Sequence, residues 1–405
     1  MVYFEIQQVM DNIGNVINLY RGFHRQYNRS MDNIQLDLER QQTARRYASI
    51  SRRLMLVDLA FTAGYAGAWL AFGWSIAVRD WAAGFGGAWW FALLRYALVF
   101  GGIYYLLNLP LAYYSSYLLP HRFGQSTETL RGWLSDQAKG LVLGAVLGGT
   151  VLLVIYAVLR AYPDTWWIWA SIILLIFSVL MANLAPVLLF PLFYKFIPLG
   201  EEHAELVQRL TRLSERAGTS VKGVFTIDMS RRTKSANAAL TGLGATRRII
   251  LGDTLLSAFS VDEIETVLAH ELGHHVNRDI PLSILIETIS TVGGLFLASL
   301  GLKWGTNWLG MQGPADIAAL PLFMLVMGAF GLITMPLTNA FSRWRERLAD
   351  RYALESTRNP GAFASAMTRL ANQNLAEVDP EPWVEWLLYS HPALAKRIKM
   401  AREYR

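Results

Sequence analysis

Apolar residues in this chain gather into six long blocks separated by polar breaks, a pattern that predicts bilayer-spanning helices and not the half-buried faces of a soluble core. The blocks run from Met55 to Val78, Trp81 to about Leu109, Gly140 to about Ala161, Trp166 to about Phe193, Pro281 to about Leu302, and from just after Asp316 to about Ala340. Arg79-Asp80 reads as a tight turn between the first two. Pro110 and the polar stretch His121 to Lys139 read as the break before the third, and Tyr162-Pro163-Asp164-Thr165 as the turn into the fourth. Ahead of the first block, Ile6, Val9, Met10, Ile13, Val16, Ile17 and Tyr20 recur at helical spacing, which predicts an amphipathic helix on the membrane surface or against the bundle.

Between the fourth and fifth blocks lies an insert of different character. A polar helix is expected from about Glu202 to Ala217, closed by Gly218, then a strand from Val221 to Asp228. A hairpin-like pair follows, Ala236 to Thr241 and Arg247 to Leu251, around Gly242-Leu243-Gly244. Ser260 with Glu263 three residues on is a capping box that opens the next helix. The expected organisation is an amphipathic and basic N-terminal segment (1–54), spans one to four (55–193), the insert (194–280), spans five and six (281–340) and a C-terminal helical segment (341–405).

Composition agrees: 53% of residues are hydrophobic and 17% charged, too apolar for an ordinary soluble chain of 405 residues. The net charge of +6 sits beside apolar spans, so it reads as loop charge on the cytoplasmic side and not as a nucleic-acid footprint. The outer loops carry about one basic residue each (Arg79, Arg160, Lys303), which places both termini and the insert in the cytoplasm, at the plasma membrane if the chain is prokaryotic. No compact apolar core opens the chain as a cleavable signal peptide would. Cysteine is absent, which excludes disulfides, thiolate ligands and a cysteine nucleophile. Arg95 and Glu287 fall inside apolar blocks without an evident role.

The chemistry concentrates in Val267-Leu268-Ala269-His270-Glu271-Leu272-Gly273-His274-His275, where three of the seven histidines fall within six residues. On a helix, His270 and His274 return to one face with the spacing of two imidazole ligands on one zinc ion. Glu271 then lies beside the metal, placed to take a proton from a zinc-activated water. His275 has no such reading. A catalytic zinc needs a third protein ligand, and Glu346 in Ser342-Arg343-Trp344-Arg345-Glu346-Arg347-Leu348-Ala349-Asp350 offers one. Asp350, on the same helix face, can accept the outer N–H of a ligand histidine. The alternative is an exposed charged helix pairing these acids with the arginines around them. It weakens once the His motif is weighed with it.

Together these motifs resemble the integral-membrane zinc metalloproteases of the CAAX prenyl protease type 1 family. The resemblance covers most of the chain: Phe123-Gly124 with Thr129-Leu130, Pro191 to Phe196 with Pro198-Leu199, Ser235-Ala236-Asn237-Ala238, the His-Glu-Leu-Gly-His core, the Glu346 helix, and a late His391-Pro392 with Arg397. It implies a mainly α polytopic bundle with a zincin-like cytoplasmic domain and a small β-sheet, enclosing an intramembrane chamber. It also implies one zinc per chain on His270, His274 and Glu346, and Glu271 as general base and then acid. Asn237 and Ala238 would lie on an edge strand that aligns the substrate, with His391 and then Arg397 as candidates to stabilise the oxyanion. His391-Pro392 can also be read as a plain helix start. The implied substrate is a peptide or protein, prenylated in the family, met at the lipid bilayer.

Two departures stand out. The family usually has seven spans, and here the first is missing or replaced by the N-terminal amphipathic helix. Where eukaryotic members carry Trp and then Asn-His after the core, this chain has His275 and Asn277-Arg278-Asp279; with no endoplasmic-reticulum retention tail, a prokaryotic homologue is expected. Two rival readings remain open here: a heat-shock-type quality-control protease without prenyl dependence, and a transporter or channel whose histidines form a structural metal site. A structural zinc is normally closed by four protein ligands, which disfavours the second.

Overall fold

The computed structural model describes residues 35–242 and 246–404. The expected amphipathic N-terminal helix and the centre of the hairpin turn lie outside them.

Six helices are long and apolar enough to cross a membrane, as the block pattern predicts. They are α1 (Leu38–Ala71), α3 (Trp89–Arg122), α4 (Leu130–Ala161), α5 (Trp166–Phe193), α9 (Asp279–Trp308) and the last, whose regular part is α10 (Leu320–Thr357). Their outward faces carry exposed Leu106, Val142 and Ile176 in long apolar strips, which only a hydrocarbon surround would leave uncovered. Exposed tryptophans gather at both ends: Trp81, Trp90, Trp169, Trp304 and Trp308 at one, Trp344, Trp383 and Trp386 at the other.

Several boundaries differ from those read in the sequence. The turn falls not at Arg79-Asp80 but at Phe72-Gly73, where Gly73 takes φ +70°, a conformation open to glycine at little cost. The short helix α2 (Trp74–Gly84) follows, with Arg79 inside it and ion-paired to the buried Asp316. Pro110 lies inside its helix without ending it, and α3 runs on through the π-helical turn Tyr114–Leu118, which takes up the ring of Pro120, to Arg122. A second π turn, Ala185–Leu189, does the same for Pro191 in α5. Span two begins at Trp89 and not at Trp81, so Arg95 sits near its end, donating to Ala82 O (3.0 Å) and lying over the Phe85 ring. Glycines on α9 let α10 approach: a side chain at Gly301 would meet Val326, and one at Gly305 would meet Leu322.

The insert folds as a four-stranded sheet, β1 (Phe196–Pro198), β2 (Val224–Ile227), β3 (Ala238–Thr241) and β4 (Arg248–Gly252), in the order β1-β2-β4-β3. β3 is therefore an edge strand, antiparallel to β4 with Ala239 opposite Ile250. The polar helix α6 (Ala204–Arg216) packs Leu206, Leu210 and Leu213 into the same core as Ile249 and Leu251, together with Leu268 and Leu272 of α8 (Val261–Val276), which follows the short α7 (Asp253–Ala258). The capping box at Ser260 and Glu263 is formed as expected. Three C-terminal helices, α11 (Pro360–Gln373), α12 (Pro382–Leu388) and α13 (Leu394–Glu403), close the domain, with Phe363, Met367 and Ile398 in that core.

This domain is tied to the spans at several points. Asp136 of α4 pairs with Arg232, and the loop before α4 bonds along Arg232 and Lys234. At the start of α1, Arg40 donates to Asn372 O (2.7 Å) of α11, so the entry to span one lies on the same side as this domain.

Candidate metal centre

Residues His270 and His274 lie one turn apart on α8, and Glu346 reaches them from α10, which continues without interruption out of the last span. What brings the two helices together is Gly273. A Cβ placed there would stand 2.7 Å from the Cα of Ala349 and 2.9 Å from its carbonyl oxygen, closer than any real side chain tolerates. Glycine between the two histidines thus lets one backbone lie on the other.

One donor atom each from His270, His274 and Glu346 fall within 4.8 Å of one another. The Nε2 atoms of the two histidines are 3.2 Å apart, and Glu346 Oε2 and Oε1 lie 3.3 and 3.5 Å from His270 and His274. Glu346 Oε2 is buried without a hydrogen-bond partner among the described residues. An orphaned carboxylate oxygen facing two imidazole nitrogens fits a metal ion with nitrogen and oxygen ligands, and the set leaves a coordination position open.

The outer nitrogens are held as well. His270 Nδ1 is 2.8 Å from Asp350 Oδ1, and His274 Nδ1 is 2.7 Å from Asp279 Oδ2. Each Nδ1–H donates to a carboxylate, which leaves each Nε2 lone pair turned inward. Burial disfavours the charged form of His270, but Asp350 and Glu346 outweigh it and raise its pKa to about 9.

Both carboxylates are themselves fixed. Arg397 Nε donates to Asp350 at 2.9 Å and its other arm lies 3.3 Å from His270 Nδ1. Burial opposes the charge on Arg397, and Asp350 with Glu346 and Glu271 holds it protonated. Arg345 grips Asp279 through Nε (2.7 Å) and caps the end of α8 at Asn277 O (2.7 Å). Asp279 and Arg345 are functional positions that the sequence reading missed. Arg278, with φ +55°, turns the chain so that Asp279 folds back under His274, a backbone event with no periodic signature.

The remaining candidates separate. His391 Nε2 lies 3.3 Å from Glu346 Oε1, on the open side of the cluster. It is not the start of a helix, since α13 begins only at Leu394. Arg397 lies instead behind the His270 ring, its charge matched by Asp350, a position unsuited to an oxyanion on the Nε2 side. Glu271 is half-buried one residue after His270. His275 is outside the cluster, 3.4 Å from Arg247. Glu287 is exposed on α9, about two turns beyond Asp279. Gly252 donates to Asn237 O, so Asn237, Ala239 and Thr241 pair with β4, while Ala238 and Leu240 turn their backbone groups to the outer edge, where Asn237 Oδ1 accepts from Ala238 N (2.9 Å).

A polytopic helical membrane protein with a histidine pair and a buried carboxylate converging beside an edge strand has the layout of a membrane metallopeptidase. Comparison with known proteins agrees: residues 201–405 match the profile of peptidase family M48, and residues 24–195 that of the CAAX prenyl protease N-terminal segment, described as having five membrane helices. Within the described part of that segment, four helices are long enough to span, and α2 is a fifth, short one. The chain is 30% identical over 302 residues to an uncharacterized metalloprotease, YhfN, of Bacillus subtilis, covering 74% of this chain and 70% of that one. It is 31% identical over 312 residues to CAAX prenyl protease 1 of Saccharomyces cerevisiae, covering 72% and 68%. The crystal structure of S. mikatae Ste24p shares its fold with a TM-score of 0.81 at 24% identity, covering 94% of each chain. The chain belongs to peptidase family M48, among the relatives of CAAX prenyl protease 1. It is an integral, multi-pass membrane metallopeptidase that acts on a peptide or protein, which removes the transporter reading.

Two outcomes follow from this geometry. Gly273→Ala forces α10 away from α8, so its metal content, measured on the purified protein, is expected to fall at least roughly tenfold at limiting metal while helical content by circular dichroism stays unchanged. Replacing Glu346 by Ala is expected to abolish stoichiometric metal binding, whereas Asp350→Ala and Asp279→Ala weaken affinity by about 10- to 100-fold, read by competition with a chelator. Equal affinities in all three variants would contradict the assignment of roles.

Proposed function

We propose that the chain is a zinc endopeptidase that cleaves a substrate peptide at the cytoplasmic membrane face, with His270, His274 and Glu346 holding one zinc ion. The observation that carries this reading is the convergence of the two Nε2 atoms on the orphaned Glu346 Oε2. When bound, zinc would supply Lewis-acid polarisation of the scissile carbonyl and acidify water at the open position. Glu271 takes a proton from the attacking water and returns it to the leaving amine. His391 donates a hydrogen bond to the carbonyl oxygen as it becomes an oxyanion. Asp350 with Arg397, and Asp279 with Arg345, keep the two ligand histidines in the tautomer the metal needs. The peptide adds antiparallel to β3 at Ala238 and Leu240, taking over the Ala238 N–H from the Asn237 side chain that accepts it in the free protein, with Asn237 beside the scissile bond.

The CAAX prenyl protease relatives support a prenylated substrate, presented from the bilayer that the exposed apolar spans require. The bias of basic residues toward the insert side supports a cytoplasmic site.

Glu271→Ala is expected to keep wild-type zinc content and thermal stability yet lose at least about 10³-fold in kcat, measured on matched farnesylated and unmodified reporters. Wild-type turnover would remove Glu271 as the base, and equal cleavage of the two reporters by the native enzyme would favour a quality-control role. Proline at Ala239 removes a bond to β4 and is expected to lower the melting temperature. Proline at Ala238 faces the free edge, so it is expected to spare fold and zinc while raising KM. Matched losses of stability would contradict strand docking. A topology reporter fused after Arg405 is expected to read cytoplasm, and a signal from the opposite side would overturn the orientation.

A further inference from the structure

Among the described residues after α10, the only large hydrophobic side chains left exposed are Trp383 (59%) and Trp386 (58%), one turn apart on α12. Val384 and Glu385 between them are buried, so the short helix has one face in the domain and the other bare. Trp383 Nε1 donates to Glu381. The polar edge of that ring is satisfied, and what remains exposed is its apolar body.

The level of α12 is fixed by α10. Asn339 donates to Leu387 O (2.7 Å), and the buried Arg343 donates to Glu385 O (2.9 Å) and Tyr389 O (2.5 Å). On α10, Ile333, Leu337 and Trp344 share one exposed stripe, and the last two bracket Asn339 and Arg343 along the helix. The apolar block ends here, at Ala340, and charge begins at Arg343. The bonds to α10 therefore hold α12 where hydrocarbon gives way to headgroups, beside a stripe that already faces lipid. An indole, apolar with a single N–H, is the side chain this level favours.

The same helix is tied to the chemistry. Glu385 Oε1 accepts from Ala393 N (3.1 Å), and Oε2 pairs with Lys396 Nζ (2.5 Å), both beyond the loop that carries His391. Tyr389 to Pro392 thus form a bridge stapled at each end, to α10 through Arg343 and to the start of α13 through Glu385. His391 stands within this bridge, its Nε2 3.3 Å from Glu346 Oε1. A displacement of α12 moves this histidine relative to the ligand set.

We propose that α12 docks in the headgroup layer of the bilayer through Trp383 and Trp386, and that this seat positions His391 over the metal site. Catalysis then depends on the membrane surface as well as on the spans. The link to catalysis rests on the reading of His391 as the donor to the oxyanion, whereas the seating of α12 stands on its exposed face and its level on α10.

The chain has no cysteine, so a nitroxide attached at Trp383→Cys or Trp386→Cys is read without background. The full-length, zinc-loaded enzyme is placed in liposomes of phosphatidylethanolamine and phosphatidylglycerol, with Ile176→Cys on the exposed face of α5 and Glu215→Cys on α6 as references for lipid and water. Collision rates with oxygen, which partitions into lipid, and with a water-soluble nickel chelate give the depth of each label. Both α12 labels are expected to fall between the two references. A reading equal to that of Glu215→Cys, or shielding from both probes as against a second protein, would overturn the seating. For the link to catalysis, Trp383→Ser combined with Trp386→Ser is expected to lower kcat roughly tenfold, with zinc content and KM unchanged and with recovery when both positions carry Phe. Each single change is measured too, so one remains informative where the pair fails to fold. In the His391→Ala background the pair is expected to cost nothing further. An unchanged kcat, or the same tenfold loss in that background, would overturn the link. Wild-type kcat in His391→Ala alone would remove the oxyanion reading and the link with it, while the depth of the labels decides the seating on its own.

Discussion

The site depends on two helix backbones lying in contact where α8 crosses α10. Gly273 is the residue that permits it, and Ala349, three residues after Glu346, is what it meets. With any larger residue at 273, Glu346 would stand off from the histidines by the width of a methyl group, and a coordination sphere tolerates far less than that. The contact also joins the chemistry to the membrane, because α10 carries the last span and runs on to the Glu346 turn as one helix. Tilting that span would move Glu346, Asp350 and Arg345 together.

Around this crossing the charges are arranged so that each ligand has one support and each support has one counter-charge: His270 with Asp350 and Arg397, His274 with Asp279 and Arg345. Both arginines are buried, and their desolvation is offset by two donors each: Arg397 meets both oxygens of Asp350, and Arg345 gives two N–H groups to Asp279 Oδ1. The α12 connection is held by the same helix: Arg343 donates to Glu385 O at 2.9 Å, and Asn339 to Leu387 O at 2.7 Å. One helix thus positions Glu346, Asp350, the Arg345 that holds Asp279, and the approach to His391.

The spans and the ligand set were legible because both rest on periodicity. Block length marked Trp166 to Phe193 to the residue, and helical spacing paired His270 with His274 and Glu346 with Asp350. What escaped rests on single backbone events. Proline at 110 looked like a break, yet the helix runs through it. Arg278 in a left-handed conformation redirected Asp279 to His274, and Asn374, at the end of α11, bonded to Ala236 just ahead of β3. Neither leaves a repeat in the sequence, and each pairing depends on segments that meet only in the folded chain. Arg397 was placed near the substrate by resemblance, whereas burial against Asp350 makes it a support for a ligand.

The central claim is that hydrolysis requires a single zinc ion held by these three side chains. It is tested most directly by measuring peptide cleavage against bound zinc as the metal is stripped by a chelator and restored by titration. The account predicts one zinc per chain at full activity, and activity returning in proportion to zinc up to that ratio. Undiminished cleavage by the metal-free protein would contradict it.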